Sequence, residues 1–473
     1  MIGEAGRHDF SLRGGFGVYY NRDQEEGSLQ NLSSPPFSLN SEGISSQVQG
    51  TSPSFANPFV DIFDSTVAGV NPFPFAVPQP GATINWSDFD GLDINAFDPK
   101  YTVPIVYNFN LNIQRALPGA MVLQVGYVGS LGHHLPSVYD ADPITPAGHA
   151  ACLANAQCVA NRTFIHPLFP QYTALADITS PVDPATSIPY YYGVGAQATL
   201  ASSNYNSLQI QLQKAATHGL TFNIAYTYSH ALDNSSNLES SGFNGRGINF
   251  VQGYQYLSYG DSDFDARHRL VAYYTYQVPL TAGMKSHLAV REILGGWTLS
   301  GITAVQSGFP ITLMELGDYN SLWCDGYFYY YCPDSPDTST YHIKSLAPRN
   351  IQTFTENGTG TPGTGNYWFD PSVFSPEPIG TFGNTKRNFF HGPGFNYSNM
   401  SLAKNFALGR GESRYLQLFV QAFNVFNHAN FAQPDGNFLD GTFGAITSVI
   451  QPANAGGDPQ PGRAVQIGGK IAF

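Results

Sequence analysis

The chain is poor in charge. Only 12% of its 473 residues are Asp, Glu, Lys or Arg, about half the share of an ordinary soluble domain, which is an unusual surface for cytosol. Its 21 Lys and Arg form no cluster against 34 Asp and Glu, and a net charge of −13 argues against nucleic acid, which calls for a basic patch. No run approaches the ~18 apolar residues of a membrane-crossing helix, so a helical membrane protein is excluded, whereas a membrane barrel is not. The first residues, MIGEAGRHDF, lack the apolar core and basic flank of a signal peptide. If the protein is exported, its leader is expected to be missing from this chain.

Catalytic signatures are lacking as well. There is no G-x-S-x-G elbow and no H-E-x-x-H, and the GSLGHH segment at 129–134 has neither the turn nor the acid partner of a nucleophilic site. GTGTPG at 358–363 fits G-x-G-x-x-G, but it lies in a Thr/Gly/Pro tract with no strand before it and no helix after it. No enzyme and no cofactor is expected. Cysteine is scarce, and its four copies fall as two close pairs, Cys152 with Cys158 and Cys324 with Cys332, in loop-like regions. Neither pair has C-x-x-C spacing, so local disulfides in an oxidising space are the preferred reading. His149 and His166 flank the first pair and leave zinc as the alternative.

What is abundant is Gly, Pro and aromatics: 49 Gly, 33 Pro, 28 Tyr and 34 Phe. Such punctuation favours many turns and an all-β chain. The decisive signal is alternation of period two. In VYNFNLNIQ, Tyr107, Phe109, Leu111 and Ile113 alternate with Asn108, Asn110, Asn112 and Gln114; in NSLQIQLQ, Leu208, Ile210 and Leu212 alternate with Ser207, Gln209, Gln211 and Gln213. A soluble sandwich would carry Lys and Glu on its polar face. Here that face is Asn, Gln, Ser, Thr and Gly, which suits a wet lumen, while the apolar face suits lipid.

The pattern predicts about ten strands, near 10–20, 104–116, 120–132, 204–216, 219–230, 267–278, 296–307, 396–407, 414–427 and 463–473. Connections alternate strictly between short (117–119, 217–218, 279–295, 408–413) and long (21–103, 133–203, 231–266, 308–395, 428–462). Short periplasmic turns and long extracellular loops are what an antiparallel transmembrane β-barrel shows. Tyr19, Tyr20, Tyr226, Tyr228, Tyr274 and Tyr276 gather near strand ends as interfacial girdles would, although aromatic pairs stabilise any antiparallel sheet.

RGGFGVYYNR at 13–22, NYNSLQIQLQKAATHGLTFNIAYTYSHALDNSS, DFDARHRLVAYYTYQVP, LGGWTLSGITAVQSGFPITL and LQLFVQAFNVFNHANF together resemble the carboxy-terminal barrel region of the Oar-like TonB-dependent receptors. That resemblance covers nearly all the strand segments and is weak in the long loops. It implies a barrel of about 22 strands with a plug in its lumen, driven from the inner membrane through TonB. The partners implied are outer-membrane lipid and lipopolysaccharide, an unknown extracellular ligand, and the barrel-assembly machinery, which reads a last strand ending on an aromatic such as Phe473. A plug, a carboxypeptidase-regulatory-like domain and a TonB-contacting segment are not found, and ten strands would leave two open edges in lipid. The chain is therefore expected to be part of a longer barrel, with TonB reached only through a plug it does not carry.

Asp261, Asp263 and Asp265 in YGDSDFDARHRL would lie on one face of an extended segment and could hold calcium at the extracellular rim; the plainer reading pairs Asp265 and its neighbours with Arg267 and Arg269. Asp88, Asp90 and Asp93 form a similar loop cluster, and the YFYYY tract at 327–331 could stack on a sugar or peptide or simply pack loops together. Alternatives to a receptor wall are a passive porin or adhesin whose ten strands close on themselves, and a soluble carbohydrate-binding β protein whose apolar faces meet.

Overall fold

The computed structural model describes residues 10–21, 79, 82, 92–161, 191–236, 251, 253–280, 288–315, 321–323, 334–340, 367–408, 414–450 and 462–472. Ten strands form one continuous antiparallel path: β1 (Phe10–Tyr20), β3 (Ile105–Leu117), β4 (Met121–Asp140), β5 (Tyr191–Thr217), β6 (Leu220–Asp233), β8 (His268–Gln277), β9 (Trp297–Gln306), β14 (Phe395–Ala407), β15 (Tyr415–Phe423) and β16 (Ala464–Ala472). Each strand pairs with its neighbour along this path, a meander rather than a Greek key. Two further strands attach to it. β2 (Leu92–Phe97) lies parallel to β5, and the two-residue β7 (Gly260–Asp261) pairs with the end of β6. Among the described residues the path is not closed, since no pairing joins β1 to β16. No described helix is long and apolar enough to cross a membrane.

Register carries the apolar face across the middle of the sheet, with shifts at the Gly132–Leu135 end of β4 and the Lys214–Thr217 end of β5. Ile113 pairs with Leu12 and Val125, Val125 with Ile210, Leu212 with Ile224, Leu299 with Leu402, Leu402 with Val420, and Val420 with Ile467. A one-residue shift at any strand would put its oily set on the amide face. These outward side chains stay exposed; Leu111 is 50% accessible, Leu418 48% and Ile467 78%. Apolar surface of that extent is what lipid, not water, covers. The opposite face is stitched by amides. Gln211 donates to Asn223, whose own amide donates to the Tyr273 hydroxyl, and Gln124 to Asn112.

The short connections have chemistry to match. His218 (φ +52°) and Gly219 (φ +79°) make a two-residue hairpin with both residues left-handed, the geometry whose twist fits antiparallel strands. Gly219 also lies against the next strand, where an added Cβ would meet the Gln277 carbonyl at 2.0 Å.

Two expectations need correction. β4 and β5 run to Asp140 and back to Tyr191, far beyond the ~10 residues needed to cross a bilayer. Past irregularities at Gly132 and Leu135 they continue pairing above the rim, from Leu135 opposite Ala201 to Asp140 opposite Gly195, with β2 on the outer side of β5. Ala196, Gln197, Ala198 and Thr199 are all buried, so both faces are covered and no alternation marks this part of the strand. The 279–295 connection is not a plain turn, because it holds the helix α3 (Leu288–Leu294).

The buried apolar core lies in the long loops. Ile311, Leu313, Phe369, Phe374 and Phe443 form one cluster from the 307–394 and 424–463 connections, supported by edge-on ring contacts of Phe369 with Phe374, Phe390 and Phe443. β10 (Pro310–Ile311) pairs with β13 (Phe390–His391), and β11 (Asp337–Thr338) with β12 (Phe374–Ser375). Val251, Leu257 and Phe382 make a second cluster. In a third, Ile144 and Cys152 pack on Leu322 beside α1 (Pro146–Leu153) and α2 (Ala156–Asn161). The loops thus build a folded cap on one end of the sheet.

Candidate functional site

The richest cluster of charged groups sits where this cap meets the strand ends. β6 ends at Asp233, which is 2% exposed, and β7 lies antiparallel to it, with Leu232 opposite Asp261 and Asp233 opposite Gly260. After Asp261 the chain does not stay extended. Asp265 N–H donates to the Ser262 carbonyl at 2.8 Å, closing a turn, and this splits the three aspartates predicted to share one face.

Asp261 and Asp265 face Arg267. The guanidinium reaches both Asp261 oxygens at 2.9 Å through Nη2 and Asp265 Oδ2 at 2.7 Å through Nε. His230 Nε2 lies 2.8 Å from Asp261, and Ala231 N–H donates to Asp265 Oδ1 at 2.7 Å. His391 completes the ring with Nε2 3.4 Å from Asp261 and 3.7 Å from Asp265. Arg269, named with Arg267 as a pairing partner, falls on the lumen row of β8 by register, with Thr227 and Gln306 as its strand partners.

Asp263 turns the other way, to Arg387. That guanidinium is 1% exposed, and all five of its N–H groups are spoken for. Nε donates to the Ser258 carbonyl at 2.9 Å, Nη1 to Ser236 Oγ at 3.1 Å and Asp263 Oδ1 at 2.9 Å, and Nη2 to the Asp233 carbonyl at 3.0 Å and to the Asp233 carboxylate. Asn388, left-handed at φ +53°, donates to Asp263 and to the Asp261 carbonyl and binds Thr312 in both directions. One loop therefore ties the ends of β6, β7 and β10 together.

The two faces of this cluster treat their carboxylates differently. Burial pushes Asp263 above its ordinary value, with the nearby Asp233 charge adding to it, and the Asn388, Arg387 and Ser236 contacts recover only part. Burial also acts against ionised Asp265, but the His391 ring, the Ala231 N–H and Arg267 outweigh it and hold that carboxyl below its ordinary value. Asp261, Asp265 and His391 offer ligand atoms within 4.8 Å of one another, so the donor set for a cation exists. Arg267 already occupies the space between the two carboxylates, and a cation there would have to displace it.

The other sequence candidates are scattered. Cys152 and Cys158 are joined by a disulfide across the α1–α2 corner, which leaves no thiolate for zinc; His149 instead stacks on Trp323 at 3.8 Å and contacts the Ser321 carbonyl. Cys324, Cys332, His166, Asp88, Asp90, the 327–331 and 358–363 tracts and Phe473 lie outside the described residues. Gly129 and His134 belong to β4, with His134 left-handed near its irregularity. Sequence reasoning missed Asp233, His230, Arg387, Asn388 and His391. Arg387 is 124 residues from Asp263, and nothing in KRNFFHG marks it as a partner.

Residues 5–466 match the family model for the outer membrane beta barrel domain. The chain belongs to this family. It is accordingly a protein of the bacterial outer membrane, with the apolar sheet face toward lipid and the cap on the long-loop side. Among solved structures it is similar to the outer membrane transporter YddB from Escherichia coli, at 10% identity, covering 81% of this chain and 34% of that one with a TM-score of 0.37. It is also similar to P. aeruginosa FpvA bound to heterologous pyoverdines (10% identity, 79% and 28% covered, TM-score 0.30) and to the ferric citrate transporter FecA (12%, 78% and 32%, TM-score 0.31). The chain spans about a third of the length of these proteins. No curated protein matches it.

Proposed function

We propose that this chain is part of the barrel wall of a TonB-dependent receptor of the Oar-like kind, and that its cap takes part in ligand capture while a plug and further strands supply energy-coupled uptake. The role is carriage rather than catalysis. The observation that carries it is the combination of a ten-strand arc that is not closed among the described residues with long loops folded around buried apolar clusters. Unpaired edges in lipid cost several kcal/mol per exposed backbone group, so β1 and β16 call for neighbours. A passive ten-stranded pore would supply them by pairing β1 with β16. Cysteine pairs across those edges on the outward face, Leu12 with Ile471 and Val18 with Val465, test the choice in the native-length protein. The receptor reading expects no cross-link in the folded protein. Efficient cross-linking of both pairs, or ligand accumulation that survives a protonophore, would support the passive pore instead.

A further inference from the structure

A short helix lies on the lipid side of the sheet at its periplasmic end. Trp297 opposes Lys404 across β9 and β14, one step from the Leu299 and Leu402 pair, so both belong to the outward row. Lys404 is nevertheless only 7% exposed. Its ammonium donates to the Ile293 carbonyl at 2.9 Å and the Gly295 carbonyl at 2.8 Å, and it lies 4.8 Å from the Trp297 ring and 5.3 Å from the Phe406 ring. The Trp297 indole N–H donates to the same Ile293 carbonyl at 2.8 Å. Those carbonyls are the unsatisfied end of α3, and a cation there both fills them and complements the helix dipole. A seven-residue helix does not hold itself in water, so this clamp fixes it.

We propose that α3 is an interfacial anchor, seated at the headgroup and acyl boundary of the inner leaflet of the outer membrane. Ile293 is 66% exposed and Leu294 45%, on a helix end placed against the outward row, and their apolar surface continues that of Leu299, Leu402 and Leu418. Continuity with the lipid face selects the bilayer as occupant. Trp297 stands at the border, where its ring and N–H suit one wet and one oily side. The Lys404 stem follows the oily surface while its charge is spent on carbonyls, which explains a lysine in an apolar row. The inference rests on the lipid-facing assignment of the sheet and not on energy coupling.

A nitroxide on Ile293→Cys, in the full chain reconstituted in phosphatidylethanolamine and phosphatidylglycerol bilayers, reads the depth. The ratio of oxygen to nickel-chelate accessibility is expected to be several-fold above that of a lumen label at Gln417→Cys and close to that of an outward label at Leu299→Cys. A ratio equal to the lumen label overturns the proposal and leaves a periplasmic protein surface as the occupant. Adding Lys404→Met is expected to return label 293 to aqueous accessibility while the heat-modifiable barrel band persists; an unchanged depth refutes the clamp. Should Lys404→Met fail to assemble, Trp297→Phe keeps the ring, loses the N–H donor, and is expected to raise nickel accessibility at 293 in the same direction.

Discussion

Replacing Arg387 with methionine isolates the join between cap and barrel. Methionine keeps most of the volume and none of the five donors. It leaves Asp233, 2% exposed, with the Ser236 hydroxyl but without its cation, and takes one contact from Asp263, which keeps Asn388, and one from the Ser258 carbonyl. Removing one member of a buried ion pair costs about 3–5 kcal/mol, equivalent to between about a hundred-fold and a few thousand-fold in the cap's opening equilibrium. The strands below do not depend on this residue, so the loss is local. Hydrogen exchange in detergent measures it. The Arg387 position and Asn388 amides, which donate to the Leu257 carbonyl and to Thr312, are expected to exchange faster by that factor, while amides in the β14–β15 pairing hold their protection. The triple change Arg387→Met, Asp233→Asn, Asp263→Asn removes the stranded charges and is expected to recover much of the loss. Unchanged exchange in the single variant, within tenfold of the parent, would refute the argument that Arg387 joins cap to strands.

The two aspartates of the rim respond to acid in opposite senses. Asp263, raised, is expected to protonate before an ordinary aspartate, and its contribution grows as pH falls through its folded value; Asp265, lowered, contributes above the unfolded value and loses this as pH falls through its folded one. Carboxyl-carbon NMR titration of selectively labelled protein checks the order, and Asp265 titrating first would contradict it. Leu418→Arg places a charge on the lipid face in mid-strand and is expected to cost about 2–4 kcal/mol, whereas Gln417→Arg on the lumen face is tolerated. Urea titration of folding into vesicles separates the two, and equal costs would mean the faces are assigned wrongly. Gly219→Ala meets both a left-handed φ of +79° and the Gln277 carbonyl, so a cost above about 1 kcal/mol is expected in the same assay. A neutral result would show that the hairpin relaxes freely.

Within the membrane the structure was legible because lipid and lumen impose one simple alternation. Each of the ten predicted strands corresponds to one in the sheet, and both turns written into Pro118-Gly119 and His218-Gly219 are where expected. Above the rim the same reasoning stopped. The extensions of β4 and β5 are covered on both faces, so Ala196 to Thr199 show no period. The aspartate trio was visible as composition, but its split by the Ser262 turn was not, because that turn is held by partners far along the chain.

Sequence by itself determined the wall: which residues face lipid, which face the lumen, and which end carries the loops. These follow from local periodicity, where each residue's environment repeats every second position. Tertiary structure alone decided the cap and the anchor. Arg387 meets Asp233 across 154 residues, and Lys404 meets Ile293 across 111, in contacts that depend on strand order and loop folding rather than on any pattern a neighbour could reveal. A charge in an oily row reads as an anomaly until the carbonyls that consume it are brought beside it.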